Sequence, residues 1–101
     1  MSKIKVGIIG VGGIAKLHVP GWHLSEHAEL IAGSDINKSI LEDWGNKNQI
    51  KKLYLNPLDM INDPDIDVID ICAPNNYHCD LAIKAMQAGK DVLCEKPLAP
   101  N

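Results

Sequence analysis

Hydrophobic residues change their spacing repeatedly along the chain, and this alternation predicts an α/β protein. Buried parallel strands are short, continuous apolar runs, whereas surface helices carry an apolar stripe that returns every three or four residues. Runs of the first kind alternate here with stretches of the second kind. The pattern predicts five strands, at about residues 3–9, 29–34, 52–55, 66–72 and 91–94,.

Four helical segments lie between these strands. Pro20 falls inside the first, where a proline removes a backbone donor, so we expect a kink there or an early end of the helix. Asn37 can cap the second helix, and Gly45 or Asn46 is expected near its end. The helices are predicted at about residues 13–25, 38–46, 57–62 and 77–88.

The order of these elements defines a fold class. Strands that alternate with helices form a parallel sheet with helices on both faces. Right-handed crossovers, with the reversal usual in this architecture, give strand order 3-2-1-4-5. The length of 101 residues suits one domain, because domains mostly run to roughly 100–150 residues,. We therefore predict a single doubly wound α/β domain.

Composition excludes several classes of function. Hydrophobic residues make up 46% of the chain and the formal net charge is −3, which argues against a disordered protein,. Acidic residues outnumber the ten basic ones, all lysine, so no nucleic-acid partner is expected,. No apolar run approaches the roughly 18 residues of a membrane span. Three cysteines without a C-x-x-C pair are typical of a reducing compartment, so we expect a cytoplasmic location,.

A glycine-rich motif follows the first predicted strand and opens the first helix. The segment Gly10-Val11-Gly12-Gly13-Ile14-Ala15 fits the pattern G-x-G-x-x-[G/A],. Gly10 allows a tight turn, Gly12 lets the backbone approach a pyrophosphate, and free N–H groups at the helix start face the phosphates. The motif therefore predicts a dinucleotide site formed by Gly10, Gly12, Gly13 and Ile14.

Asp35 follows Ala15 by 20 residues and stands at the end of the second predicted strand. A carboxylate in that place can accept hydrogen bonds from both ribose hydroxyls. A 2′-phosphate would meet its negative charge, and the chain has no arginine to clamp one, so NAD is favoured over NADP,. Lys38 is the nearby group that would suit a phosphate. The alternative explanation is a glycine-rich turn with Asp35 as an ordinary loop residue.

The segment after the fourth strand, residues 73–78, should border the nicotinamide end of such a site, because ligands bind at the carboxyl ends of parallel strands. Pro74 and Asn75 belong to this segment. Asn75 or Asn76 can instead serve only as the cap of the next helix. His78 should lie in the first helical turn and face the cleft, although a single histidine can also be a surface residue.

The segment after the fifth strand supplies an acid–base candidate. Lys96 is the ionisable group there that can supply and recover a proton near neutral pH,. Its pKa, about 10.4 in small peptides, would have to be lowered by burial and by the positive nicotinamide ring. Taken alone, the segment is better explained by an ion pair of Lys96 with Glu95.

Other polar residues have structural explanations. Asp70 lies inside a strand covered on both faces, where an unpaired carboxylate is costly, so we expect it to be satisfied by partners. Four aspartates within residues 59–67 are expected to form a solvated connection, because they lack the calcium-loop pattern,. The cysteines lack metal-ligand spacing and are expected to be small buried side chains. No metal is expected.

The motifs together resemble those of the Gfo/Idh/MocA oxidoreductases. Glu-Lys-Pro after a fifth strand is specific to that family among dinucleotide folds. The resemblance implies a Rossmann domain that binds NAD, in which Lys96 takes part in catalysis while Glu95 and Pro97 hold it in place. It also implies that Asn75 and His78 contact the cofactor or line the site. The matching segments run in order over essentially the whole chain: residues 10–18, Asp35, residues 70–78 and residues 94–99.

One residue departs from the family pattern. Many relatives have threonine at the position of Ala73. The chain therefore lacks one hydroxyl near the cofactor, which weakens one contact without changing the class of protein.

The resemblance also implies parts that this chain lacks. Relatives continue past Glu-Lys-Pro into a C-terminal domain that binds a small-molecule substrate, supports homo-oligomers and supplies further catalytic groups. Residues 1–101 are therefore expected to be the nucleotide-binding domain, truncated at the hinge and inactive alone. The intact protein is expected to transfer a hydride between NAD and a secondary alcohol of a sugar, polyol or related compound. The alternative is a non-catalytic NAD-binding sensor or regulatory module.

Overall fold

The fold is known from a computed structural model that describes residues 3–12, 15–72 and 75–94. Of Asn75 and His78, the backbone alone belongs to the described part. The other predicted site residues that lie outside these ranges are Gly13, Ile14, Pro74, Glu95 and Lys96.

Strands and helices alternate along the described residues. The sheet is parallel throughout, with order β3-β2-β1-β4-β5, so the predicted fold class and strand order are confirmed. None of the helices in the described ranges combines the length and the apolar character needed to cross a bilayer. The strands are β1 (Ile4–Ile9), β2 (Ala28–Ser34), β3 (Lys52–Tyr54), β4 (Val68–Ile71) and β5 (Asp91–Cys94), and the helices are α1 (Ala15–Leu24), α2 (Lys38–Asn48), α3 (Pro57–Ile61) and α4 (Asn75–Gln87).

The first and the last helix differ from their predictions in one respect each. α1 continues through Pro20 to Leu24, so an early end at the proline is wrong. The continued helix still lacks one backbone hydrogen bond, because proline has no N–H to donate to the carbonyl four residues earlier. α4 begins at Asn75, which places Asn76 inside the helix rather than at its cap.

The second helix, α2, extends two residues past Asn46. Gly45, near its end, has a packing role. A Cβ built on Gly45 would lie 2.7 Å from Cδ1 of Leu53, so the glycine lets the helix lie close to β3. The helix runs on to Asn48 and closes at Gln49, which has the left-handed φ of 60°. Gly45 and Asn46 thus lie near the end of the helix, as expected, and the left-handed residue that closes it is Gln49.

A register shift occurs in the pairing of β1 with β2. It gives β2 one extra residue and reverses the faces on which its last side chains lie,. Gly33 consequently faces α2, where a Cβ would lie 2.2 Å from the Trp44 ring. Apolar clusters cover both faces of the sheet. The cluster beneath α1 and α2 includes Val6, Ile8, Val19, Leu41 and Trp44. The cluster beneath α3 and α4 includes Met60, Ile69, Ile71, Leu81 and Ala85.

The acidic connection before β4 contains a buried carboxylate. Asp63 is buried, and its Oδ2 accepts hydrogen bonds from the Tyr54 hydroxyl at 2.5 Å and from Nζ of Lys52 at 3.0 Å. The Tyr54 hydroxyl, the Asp65 amide and Lys52 together lower the pKa of Asp63 to about 2. A solvated connection is therefore the wrong description of Asp63.

We expect Asp63 to make the fold sensitive to acid. Its folded pKa of about 2 is below the ordinary value of 3.8, so its stabilisation is present above 3.8 and is lost as the pH falls towards 2,. Asp63→Asn should lower Tm at neutral pH by roughly 5–10 °C and weaken the acid dependence. Thermal unfolding followed by circular dichroism across this pH range measures both effects. Asp59→Asn, at an exposed aspartate, is the control, and an Asp63→Asn variant that keeps the wild-type acid dependence would refute the assignment.

Candidate functional site

The carboxyl ends of the parallel strands meet at one edge of the sheet. β1 leads there into the turn at residues 10–12, and β2 leads into Asp35. The chain proceeds outward from β1 to β3 on one side and from β4 to β5 on the other. Open α/β sheets bind ligands in the crevice at such a reversal. The described site residues Gly10, Gly12 and Asp35 therefore lie where a ligand is expected.

Gly10 makes the turn that leaves β1. Its φ is +84°, a left-handed conformation that favours glycine,. Its N–H donates to the carbonyl of Ser34 at 2.7 Å and thereby ties the turn to the end of β2. The tight turn predicted at Gly10 is thus observed, and its contact with a cofactor stays a prediction.

Gly12 is a glycine that the described part of the chain does not require. A Cβ built on it would meet only Cγ2 of Ile40 there, at 4.0 Å, an ordinary van der Waals contact. Its φ is not among the positive values found in the described residues. By contrast, a Cβ on Gly7 would lie 2.9 Å from Sδ of Met60. The space above Gly12 fits a molecule that needs close access to the backbone, as a pyrophosphate does.

The Asp35 carboxylate is fixed by backbone donors from the loops that follow β1 and β2. Oδ2 accepts a hydrogen bond from the N–H of Val11 at 3.1 Å, and Oδ1 accepts one from the N–H of Asn37 at 2.9 Å. Each oxygen of an ionised carboxylate can accept a further bond. The carboxylate is therefore oriented beside the glycine turn and still has the capacity to accept from two hydroxyls.

Ile36 is a candidate that the sequence reasoning missed. It follows Asp35 directly, and 85% of its surface is exposed. A single exposed isoleucine is ordinary, so hydrophobic patterning gave no signal. Its place next to the predicted ribose ligand was the signal available. Its side chain offers an apolar surface of the kind on which a purine ring packs.

A second polar cluster lies between α1 and β4. Asp70 has no exposed surface, and its Oδ2 accepts a hydrogen bond from Nε1 of Trp22 at 2.8 Å and lies 2.7 Å from Nδ1 of His18. Sγ of Cys72 lies 3.6 Å from Oδ1 of Asp70 and 3.4 Å from Nδ1 of His18. The expectation that Asp70 is satisfied by partners is confirmed.

Three atoms of this cluster are of types that can bind metals. They belong to His18, Asp70 and Cys72 and lie within 4.8 Å of one another. The 2.7 Å between Nδ1 of His18 and Oδ2 of Asp70 is a hydrogen-bond distance,. It is shorter than the separation of about 3.3 Å that tetrahedral zinc bonds impose on two such ligands. The cluster is therefore explained by hydrogen bonding, and we assign no metal to it.

The residues predicted to line the nicotinamide end follow β4 and β5. Ile71 pairs with Cys94, so these two strands end side by side at the same edge as Asp35. The residues that come next, Pro74 after β4 and Glu95 and Lys96 after β5, lie outside the described part of the chain. Their roles stay predictions from the sequence and the resemblance.

A doubly wound parallel sheet with a glycine turn after β1 and an acid after β2 defines the Rossmann class of nucleotide-binding domains. The match to known families is specific. Residues 4–101 match the profile of the Gfo/Idh/MocA oxidoreductase family, described as its NAD-binding Rossmann fold, and the chain belongs to that family.

Named relatives cover the same region. The chain is 39% identical over 98 residues to the uncharacterized oxidoreductase YrbE of Bacillus subtilis and 35% identical over 98 residues to a myo-inositol 2-dehydrogenase of Thermotoga maritima. Each alignment covers 97% of this chain and 29% of the relative. The crystal structure of scyllo-inositol dehydrogenase from Lactobacillus casei with bound NAD(H) and scyllo-inositol superposes with a TM-score of 0.87 at 29% identity, over 99% of this chain and 30% of that one. The chain thus spans less than a third of these proteins.

Proposed function

We propose that this chain is the nucleotide-binding domain, residues 1–101, of an NAD-dependent dehydrogenase. The observation that carries the proposal is the space that the described residues leave above Gly12, beside a fixed Asp35 carboxylate. A pyrophosphate needs the first and a ribose needs the second. The family's described NAD-binding fold supports the same cofactor.

The proposed cofactor contacts lie along the edge of the sheet at which the strands have their carboxyl ends. The backbone at Gly10, Gly12, Gly13 and Ile14 faces the diphosphate, with N–H groups at the start of α1 directed at its oxygens. Asp35 accepts from the adenosine ribose, and Ile36 packs against the purine. Pro74, Asn75 and His78 lie towards the nicotinamide.

The chemistry divides between cofactor and protein. Bound NAD supplies the hydride acceptor. Lys96 holds or accepts the proton of the substrate hydroxyl, with Glu95 beside it, and its ammonium must lose its proton easily near neutral pH to do so. The substrate is a secondary alcohol of a polyol, a sugar or a related compound, as supported by relatives named for inositol oxidation. Substrate binding and homo-oligomer formation are assigned to a further domain of the intact protein.

The test of this function is reduction of NAD by the longest protein that contains this chain, assayed across inositols, sugars and other polyols. We expect NADH to form with at least one polyol. A protein that binds NAD and oxidises none of these alcohols would reject the dehydrogenase assignment and favour a binding module.

Asp35→Ser should relax the preference for NAD over NADP. Removing the carboxylate takes away the ribose contact and the negative charge that a 2′-phosphate would meet, so NAD should bind roughly 10-fold more weakly and NADP roughly 10-fold more tightly. Titrations that follow the fluorescence of Trp22 and Trp44 measure both dissociation constants. Asp91→Ser makes the same change of charge at the start of β5, on the opposite edge of the sheet, and should alter neither. An unchanged ratio in Asp35→Ser would reject the ribose assignment.

A further inference from the structure

We propose that Asp70 is a positioning residue for the dinucleotide site, because one of its oxygens holds both halves of a proline-interrupted helix against the sheet. The helix is α1, which begins directly after the glycine turn. The proposal rests on the dinucleotide binding proposed above, and it adds a residue that does not itself touch the cofactor.

Both contacts of Asp70 with α1 are made by the same oxygen atom. Oδ2 of Asp70 lies 2.7 Å from Nδ1 of His18 and 2.8 Å from Nε1 of Trp22. His18 and Trp22 are four residues apart, which is about one helical turn. Pro20 lies midway between them. The carboxylate thus contacts α1 two residues before and two residues after the proline, which cannot donate a backbone hydrogen bond.

In the described part of α1, apolar packing against the sheet comes from Val19 and from the partly buried ring of Trp22. Among the described side chains of α1, residues 18–24, Val19 is the buried apolar one, and Leu24 is 83% exposed. A Cβ built on Gly21 would meet nothing within 4 Å in the described part of the chain. A surface helix normally docks through an apolar stripe. In this part of α1 the polar contacts of His18 and Trp22 with Asp70 add to that packing.

The burial of Asp70 also calls for an explanation. It lies in a strand that pairs on both sides, with Ile8 of β1 and Leu93 of β5. Such strands favour continuous apolar runs, and a carboxylate there is costly unless it is hydrogen bonded. The contacts of Asp70 with His18 and Trp22 join β4 to α1.

The contacts of Asp70 affect the site by setting the position of α1 relative to β4. α1 presents the N–H groups that are proposed to meet the diphosphate, and β4 leads towards the segment proposed to meet the nicotinamide. Misplacement of binding groups by about 1 Å can weaken function by about 100-fold. A carboxylate that fixes α1 relative to β4 therefore fixes the two ends of the dinucleotide site relative to each other.

The test is a double-mutant cycle between Asp70 of β4 and Pro20 of α1. Asp70→Asn keeps the size of the side chain but replaces the carboxylate by an amide, whose oxygen is a weaker acceptor. Pro20→Ala restores the missing backbone donor of α1. With Pro20 present, Asp70→Asn should weaken NAD binding about 10-fold by calorimetric titration. In the Pro20→Ala background the loss should shrink to about 2-fold, because the helix then holds itself together. Pro20→Ala alone should change the NAD dissociation constant less than 2-fold.

A second variant guards against misfolding of the first. Trp22→Phe keeps an aromatic ring, although a smaller one, and removes the N–H that donates to Asp70. It should show the same dependence on Pro20. Trp44→Phe is the matched control, because Nε1 of Trp44 has no hydrogen-bond partner among the described residues. It should leave NAD binding unchanged.

The outcomes separate the two proposals. Equal losses of NAD affinity with and without Pro20, or wild-type affinity in both Asp70→Asn and Trp22→Phe, would overturn the positioning role while leaving the proposed function standing. A folded wild-type chain that does not bind NAD would reject both. A coupled loss, with the indole N–H resonance of Trp22 shifted in Asp70→Asn and that of Trp44 unchanged, supports the role.

Discussion

Replacing Gly12 by valine should abolish NAD binding and leave the fold intact. The nearest described atom to a Cβ at this position is Cγ2 of Ile40, at 4.0 Å, so the described residues leave room for a side chain. That room is the space proposed for the diphosphate, and the added methyl groups would occupy it. We expect the NAD dissociation constant to rise at least about 100-fold, which corresponds to about 2.8 kcal/mol of binding free energy. Calorimetric titration measures the loss, and circular dichroism measures the fold.

Gly21→Ala is the matched control for this variant. It adds a Cβ to a glycine of the neighbouring helix, where nothing described lies within 4 Å. Alanine favours helix over glycine by about 1 kcal/mol, so Tm should rise slightly while NAD binding stays unchanged. A folded Gly12→Val variant that binds NAD as tightly as the wild type would contradict the placement of the diphosphate.

Lys96→Ala should slow the intact enzyme by a factor of about 10²–10⁴, the range typical for loss of a positioned acid–base group. Lys96 follows Cys94 by two residues, and β5 ends at the same sheet edge as β4 and the Asp35 carboxylate. The loss should fall on kcat, because the proposed role is to hold a proton during hydride transfer. The dissociation constant of NAD should change only a few-fold. Steady-state kinetics and a separate NAD titration measure the two quantities.

Lys96→Arg distinguishes proton transfer from charge. Arginine keeps the positive charge, but its pKa above about 12 prevents it from giving up a proton. The arginine variant should therefore be nearly as slow as the alanine variant. Turnover that is unchanged in Lys96→Ala would remove Lys96 from catalysis. Restored turnover in Lys96→Arg would assign it an electrostatic role in place of proton transfer.

The fold was predictable because its determinants are local or general. The switch between strand and helix periods locates each element, and the handedness of crossovers then limits the strand order. The turn at Gly10 and the position of Asp35 were predictable for a related reason. Both lie in a short motif whose spacing is set by one strand–helix–strand unit.

The interactions that join distant segments could not be predicted in the same way. A carboxylate in an apolar stretch indicates that Asp70 needs hydrogen-bond partners. The pattern of residues along the chain does not identify His18 and Trp22 as those partners. The same holds for Asp63, which lies between α3 and β4 and whose partner Tyr54 lies in β3. Gly45 has the signature of a helix end, and only the approach of Leu53 reveals its packing role.

The most direct test of the account is a crystal structure of the chain with NAD bound. The account predicts that the ribose hydroxyls of the adenosine lie within hydrogen-bond distance, about 2.6–3.2 Å, of the Asp35 oxygens. It also predicts that the diphosphate rests on the backbone at Gly12. NAD bound elsewhere on the molecule, or bound at this edge with its ribose out of reach of Asp35, would contradict the central claim.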